Sequence, residues 1–144
     1  MKANLAWPMW ALMSAAFAAL TAILAKVGVS QINSDLATFV RTVVILIALA
    51  IFVTATGQWQ APSEVTRRSW LFLGLSGLAT GASWVCYFRA LKIGDAARVA
   101  PVDKLSVVLV AVFGAAFLGE RLSPANWAGV ALIAAGVLLV TLRA

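Results

Sequence analysis

Five charge-free runs tile this chain: residues 3–25, 42–63, 69–88, 105–119 and 122–142. Four of them hold 20 residues or more. A helix crossing a hydrocarbon layer about 30 Å thick needs about 20 apolar residues. In lipid the backbone must satisfy its own hydrogen bonds, which leaves helices or closed barrels. The alternating pattern of a barrel strand is absent from these runs. The sequence therefore predicts an all-α integral membrane protein with five transmembrane helices. An odd number puts the two termini on opposite sides, so a tandem copy of the unit would be inverted.

Composition narrows the function classes. The chain is 63% hydrophobic and 11% charged, against about 25% charged residues in a soluble domain. The whole of 1–144 reads as one domain, with no loop long enough to hold another. The first apolar run leads straight into further spans, so it reads as a signal anchor. The net charge of +6 is scattered over helix ends and short loops. It is the ordinary juxtamembrane pattern and predicts no nucleic-acid partner. Cys86 stands alone and histidine is absent, which removes the commonest general base and metal ligand. No nucleophile elbow, phosphate loop or paired carboxylates occur. The expectation is no enzyme, no catalytic residue, no metal and no cofactor.

Helices are expected at about 5–25, 36–56, 70–91, 96–118 and 124–142. Gly28 is expected to stop the first in a left-handed cap, and Ser34 or Asp35 to cap the second. Gly57 ends the second. Pro62-Ser63-Glu64 suits a short interfacial turn. Gly94 and Asp95 make a tight junction before the fourth segment. That segment is the odd one. Its charge-free part is 15 residues, or about 22 Å at 1.5 Å per residue, too short to span. It must take in residues 96–104, with Pro101 as a helix break inside it. Gly119 ends it, and Ser123-Pro124 opens the last helix with serine as cap and proline at the first helical position.

Trp7, Trp10, Trp59, Trp70 and Trp127 all fall at the N-terminal side of the membrane, an aromatic belt. The deep charges lie toward the other side: Arg41, Arg89, Asp103 and Lys104, beside Lys26, Lys92 and Arg98. Lys2, Arg67, Arg68 and Arg121 face Lys26, Lys92, Arg98 and Arg143, four against four, once Arg41, Arg89 and Lys104 are set aside. Such a tie suits insertion in both orientations.

Charge at membrane depth costs about 2.5–3.5 kcal/mol per residue at a helix centre. One reading is a water-accessible cationic site, with Arg41, Arg89, Lys104 and Lys26 attracting a solute and Asp103 partly neutralising them. The other is snorkelling, since each lies within about two turns of a helix end. Trp84 and Tyr87 join an apolar body to a polar tip and suit a cavity wall, or plain packing. Gly74, Gly77, Gly81, Trp84 and Phe88 share one face of the third helix. Gly129 and Gly136 share one face of the last, with Leu132 and Ile133 between them, which suits helix–helix contact.

Several segments carry a family likeness. They are Ala90-Leu91-Lys92-Ile93-Gly94, residues 97–101, Leu118-Gly119-Glu120-Arg121-Leu122, Trp127-Ala128-Gly129 and residues 132–137. Thr21, Lys26-Val27-Gly28 and Arg41 add to it. Together they closely resemble the EamA domain of the drug/metabolite transporter superfamily, across essentially all five spans. Most members carry two such domains, ten helices in inverted repeat. The resemblance implies that this chain is one half, completed as an antiparallel homodimer in a bacterial inner membrane. Residues 129–137 also resemble the last helix of the small multidrug resistance transporters, which implies a dimer contact at Gly129, Leu132, Ile133 and Gly136. The embedded glutamate of that family's first helix has no counterpart here, so its exchange of protons for cationic drugs does not carry over. The expected function is transport of a small anionic or zwitterionic metabolite by alternating access. A non-transporting subunit beside a larger partner and movement of a lipid-linked substrate are the alternatives.

Overall fold

A computed structural model describes residues 6–142. It is helical, in the order α1 (Ala6–Val29), α2 (Ser34–Ala55), a 3-10 turn (Pro62–Glu64), α3 (Arg67–Ile93), α4 (Ala96–Asp103), α5 (Leu105–Phe117) and α6 (Pro124–Thr141). Five stretches are long and apolar enough to cross a membrane: Trp7–Val29, Ser34–Ala55, Arg67–Ile93, Ala96–Phe117 and Pro124–Thr141. Lys2, Leu5 and Arg143, used in the sequence reading, lie outside the described residues. Packing divides the chain after Ile93 into two compact units.

In the first unit α1, α2 and α3 pack together at one end. Buried there are Ala22, Ala25 and Val29 from the end of α1, Ala37 and Thr38 from the start of α2, and Phe88 and Leu91 from the end of α3. Leu91 is 0% exposed and Val29 1%. Away from that end the side chains stand outward: Leu46 is 67% exposed and Leu78 74%. For a soluble protein such apolar exposure would be ruinous. For helices bathed in lipid it is the expected surface. Threonines inside these helices bond backward to their own backbone. Thr38 Oγ1 donates to Ser34 O at 2.9 Å and Thr42 Oγ1 to Thr38 O at 2.8 Å, which hides each hydroxyl from lipid.

Two lysines fasten the packed end. Lys26 Nζ on α1 donates to Leu91 O at the end of α3, at 2.7 Å. Lys92 Nζ on α3 donates to Val29 O at the end of α1 and to Ser30 O and Ile32 O in the connection that follows, at 2.9, 3.1 and 2.8 Å. The last four carbonyls of a helix have no partner within it, and a cation there also meets the negative end of the dipole. Each helix thus caps the other.

Several local expectations are corrected. The cap of α2 is Asn33, not Ser34 or Asp35; its side chain accepts from the amides of Asp35 and Leu36. Gly28 lies inside α1, which runs on to Val29. The left-handed glycines among the described residues are Gly57 (φ +64) and Gly119 (φ +68). Arg67 and Arg68 belong to α3, which begins three residues before the expected start at 70 because Thr66 Oγ1 accepts the Ser69 amide at 3.1 Å. Asp95 flanks α4 but its side chain makes no capping bond.

In the second unit the fourth segment is two helices, not one. The break falls at Lys104 rather than at Pro101, which sits inside α4. The Lys104 amide donates to Ala100 O at 3.3 Å and Pro101 O at 3.0 Å, and Val107 N donates to Lys104 O at 3.0 Å. Those three-residue bonds tighten the chain into a 3-10 turn. At the far end of α5, Gly114 O accepts both the Leu118 and the Glu120 amides, each at 3.1 Å. Left-handed Gly119 makes this return possible. A Cβ on Gly114 would fall 2.6 Å from Glu120 Oε2, so a glycine there gives the folded-back glutamate its place. Ser123 Oγ then accepts the Asn126 amide at 3.2 Å to start α6.

The two kinds of glycine separate in a stability test. Gly119→Ala forces a side chain into the left-handed region and costs about 1 kcal/mol. Gly28→Ala is helical, with nothing within 4 Å of the new Cβ, and should be neutral or slightly stabilising. Thermal unfolding in mild detergent, followed by circular dichroism, gives the order. Equal losses would contradict it.

Candidate functional site

The first unit holds a cavity of about 350 Å³ beside its packed end, lined by Thr21, Leu24, Ala25, Gly28, Val29 and Ile32, by Ala37, Val40 and Arg41 of α2, and by Phe88 of α3. It exists because small residues let α1 and α2 stay close without filling the space. Ala25, Gly28 and Ala37 have almost no side chain there. Arg41 brings the charge. It is the eighth residue of α2, about 10 Å along the helix from its start, and it is half-buried.

The guanidinium of Arg41 is held by aromatic faces. Its Cζ lies 4.3 Å from the centre of the Trp84 ring and 5.4 Å from that of Phe88. Trp84 and Phe88 are one helical turn apart on α3, so both rings reach the same neighbour. Tyr87 packs edge-on against Phe88, with centroids 6.3 Å apart. A cation over aromatic faces is stabilised by about 0.5–2 kcal/mol, the upper end applying when water is excluded. Among the described residues no hydrogen bond or ion pair is made to Arg41. Contacts with ring faces use none of the guanidinium's N–H donors, and those donors suit the bidentate geometry arginine favours with an oxyanion.

The remaining sequence candidates are placed differently. Arg89 is not an unpaired cation: Nε donates to Asp35 Oδ1 at 3.0 Å and Nη2 to Asp35 Oδ2 at 2.8 Å. This fork joins the end of α3 to the start of α2. Lys26 bonds the Leu91 carbonyl. Asp103 and Lys104 belong to the second unit, and Lys104 Nζ donates to Asp103 Oδ2 at 3.1 Å. The structure therefore brings Arg41, Trp84 and Tyr87 into one neighbourhood with Phe88, and joins Arg89 to an acid that the sequence reading considered only as a cap. The cavity wall from α1 was also missed. Nothing local in the sequence marks Asp35 as a partner 54 residues away. One signal was present: of six tryptophans, Trp84 alone lies outside the interfacial belt.

Gly74, Gly77 and Gly81 of α3 have open space over them, as do Gly129 and Gly136 of α6. Leu132 is 73% exposed and Ile133 42%. Among the described residues no cluster of histidine, cysteine, aspartate and glutamate has the makings of a metal site.

Five helices long and apolar enough to cross a membrane define a polytopic helical membrane protein. The chain belongs to the EamA-like transporter family, whose model matches residues 5–142. It is 72% identical over 134 residues to an "Uncharacterized transporter in cobO 3'region" of Sinorhizobium sp, covering 93% of this chain and 95% of that one. It is 27% identical to an "Uncharacterized transporter" of Vibrio cholerae, over 92% of this chain but 41% of that protein. It is 23% identical over 105 residues to a "Probable 4-amino-4-deoxy-L-arabinose-phosphoundecaprenol flippase subunit ArnE" of Hamiltonella defensa, covering 67% of this chain and 93% of that one. No solved structure matches the chain.

An electrostatic readout tests the cavity. In a Cys86→Ala background, the ratio of a Thr21→Cys thiol's rate with a sulfonate-bearing methanethiosulfonate to that with its trimethylammonium analogue should exceed the ratio for a free thiol in solution by ~10-fold. Arg41→Gln should erase the difference. A ratio no different from that of the free thiol with Arg41 present would mean that its charge does not reach the cavity.

Proposed function

We propose that this protein transports a small metabolite with an anionic group across the cell membrane, the inner membrane of a bacterium, and that Arg41 is the group that holds it. The single observation behind this reading is an arginine at membrane depth, without a carboxylate partner, beside a cavity. A cation in that position is costly, and snorkelling leaves unexplained why Trp84 and Phe88 cradle it. Family membership supports transport in general. Phe88 lines the cavity, Trp84 holds Arg41 beside it and Tyr87 packs on Phe88, while Lys26 and Arg89 steady the helix ends around it; Asp103 and Lys104, paired with each other, form a separate polar point of the second unit. The chain acts as a single functional domain with no catalytic step.

Transport follows alternating access in an antiparallel homodimer. The Vibrio cholerae relative supports this pairing, since the matched region accounts for under half of its length and leaves room for a second copy within one polypeptide. Contact in the dimer is through Gly129, Leu132, Ile133 and Gly136 of α6, whose glycines stand open and permit close backbone approach. A second reading is movement of a lipid-linked substrate as a subunit of a larger assembly. Similarity to proteins named as flippase subunits favours it.

Two measurements test these proposals. In proteoliposomes screened with carboxylates, phosphates and amino acids, Arg41→Ala should abolish uptake and leave the yield of folded protein intact or improved, because a costly buried charge has gone. Full uptake at normal yield would show that Arg41 only snorkels. Replacing Gly129 and Gly136 together with leucine should turn a dimer into a monomer in native mass measurements. An unchanged dimer would move the contact elsewhere, first to the open glycines of α3.

A further inference from the structure

The charge inventory around the cavity restricts what can bind. Among the described residues Arg41 is its one charged lining residue, and Thr21 is the other polar one. The charges nearby are committed. Asp35 is gripped at both oxygens by Arg89, the Lys92 ammonium spends its bonds on three carbonyls, and Lys26 holds Leu91 O. A zwitterion entering here finds a partner for its carboxylate and none for its ammonium. A dianion finds one cation for two charges. Either mismatch leaves an ion unpaired against apolar walls, which is expensive. The walls favour something quite different. Leu24, Val29, Ile32, Val40 and Phe88 offer hydrocarbon. Leu24 is 61% exposed and Val40 49%, so the cavity opens along the side of the α1–α2 pair through an apolar rim. Its volume equals that of about a dozen water molecules.

We infer that the solute is a monoanionic amphiphile: one carboxylate or phosphodiester charge on an apolar body that lies between α1 and α2. This rests on the reading of Arg41 as the solute anchor and narrows it from anionic groups in general to this class. The head meets the N–H groups of Arg41, whose guanidinium carbon lies over the Trp84 and Phe88 rings, and the body displaces water from the exposed Leu24 and Val40. A soluble organic acid and a lipid headgroup share this chemistry. For the lipid, the lateral rim lets the tail stay in the bilayer.

A matched set of six-carbon probes tests the class. The purified full-length chain is titrated in phosphatidylcholine nanodiscs with hexanoate, 2-aminohexanoate, hexanedioate and hexylammonium. Binding is read from tryptophan fluorescence, with Trp84→Phe to show that the signal arises at the site. Hexanoate should bind ~10-fold or more tightly than 2-aminohexanoate or hexanedioate, because a site rejects a ligand whose charge it leaves unpaired. Hexylammonium should give no signal. Arg41→Gln should remove hexanoate binding, and Arg41→Lys should keep a weaker form of it because the point charge survives without the fork. Circular dichroism of each variant establishes that it is folded. Displacement of hexanoate by dihexanoylphosphatidylglycerol but not by dihexanoylphosphatidylcholine would identify the source as a lipid headgroup. Displacement by neither would identify a soluble acid. Arg41-dependent binding of 2-aminohexanoate or hexanedioate as tight as that of hexanoate would overturn the amphiphile class and leave Arg41 as anchor. Absence of Arg41-dependent binding for every probe would overturn both.

Discussion

Where the ends of α1 and α3 meet, each helix leaves carbonyls that its own hydrogen-bond ladder cannot reach. Those carbonyls must find partners outside their own helix. Lys26 reaches from α1 to Leu91 O near the end of α3, and Lys92 reaches from α3 to Val29 O and on to Ser30 O and Ile32 O in the connection after α1. The remainder of the first unit follows from this exchange. It fixes the α1–α2 connection and buries Val29 and Leu91. It also holds open the small-residue space that Ala25, Gly28 and Ala37 leave. The Asp35–Arg89 fork adds a third tie from α2 to α3. The packed end is thus fastened by polar bonds, while the helix bodies present hydrocarbon to their surroundings.

Against that background Arg41 stands apart. Lys26, Lys92 and Arg89 each answer a local demand with hydrogen bonds. Arg41 answers none and is retained by two aromatic faces. Ring faces stabilise a cation without consuming its donors, so the guanidinium is positioned and still available. That combination, a fixed cation with its hydrogen-bonding edge uncommitted, is what a reversible binding site for an anion requires. It is also what a purely structural arginine would be expected to lack.

The second unit answers the same constraints with backbone geometry. Its break at Lys104 is a tightened turn, and the close of α5 is a double amide contact on Gly114 O permitted by a left-handed Gly119. The Leu-Gly-Glu-Arg-Leu segment, which the sequence reading valued as a family signature, thereby acquires a physical meaning. The glycine reverses the chain, and the glutamate folds over Gly114, where a Cβ would make its carboxylate shift.

The number of membrane-length helices, their approximate ends and the absence of a soluble core were legible in the sequence. They rest on the length of charge-free runs, a one-dimensional quantity set by bilayer thickness. Gly57, Gly119 and Ser123-Pro124 were legible for the same reason, since caps act within a few residues. Arg41 and Trp84 stood out singly, one by the cost of its charge and the other by its place outside the tryptophan belt. The structure alone decided which charges are answered and which is not. Asp35 and Arg89 are 54 positions apart, and Lys26 and Leu91 are 65 apart; no periodicity links them. Hydrophobic pattern fixes how many helices there are and which segments form them, because lipid reads each segment by itself. Pairing of charges across helices depends on rotation and depth of one helix against another, and those are set by side-chain contacts in three dimensions.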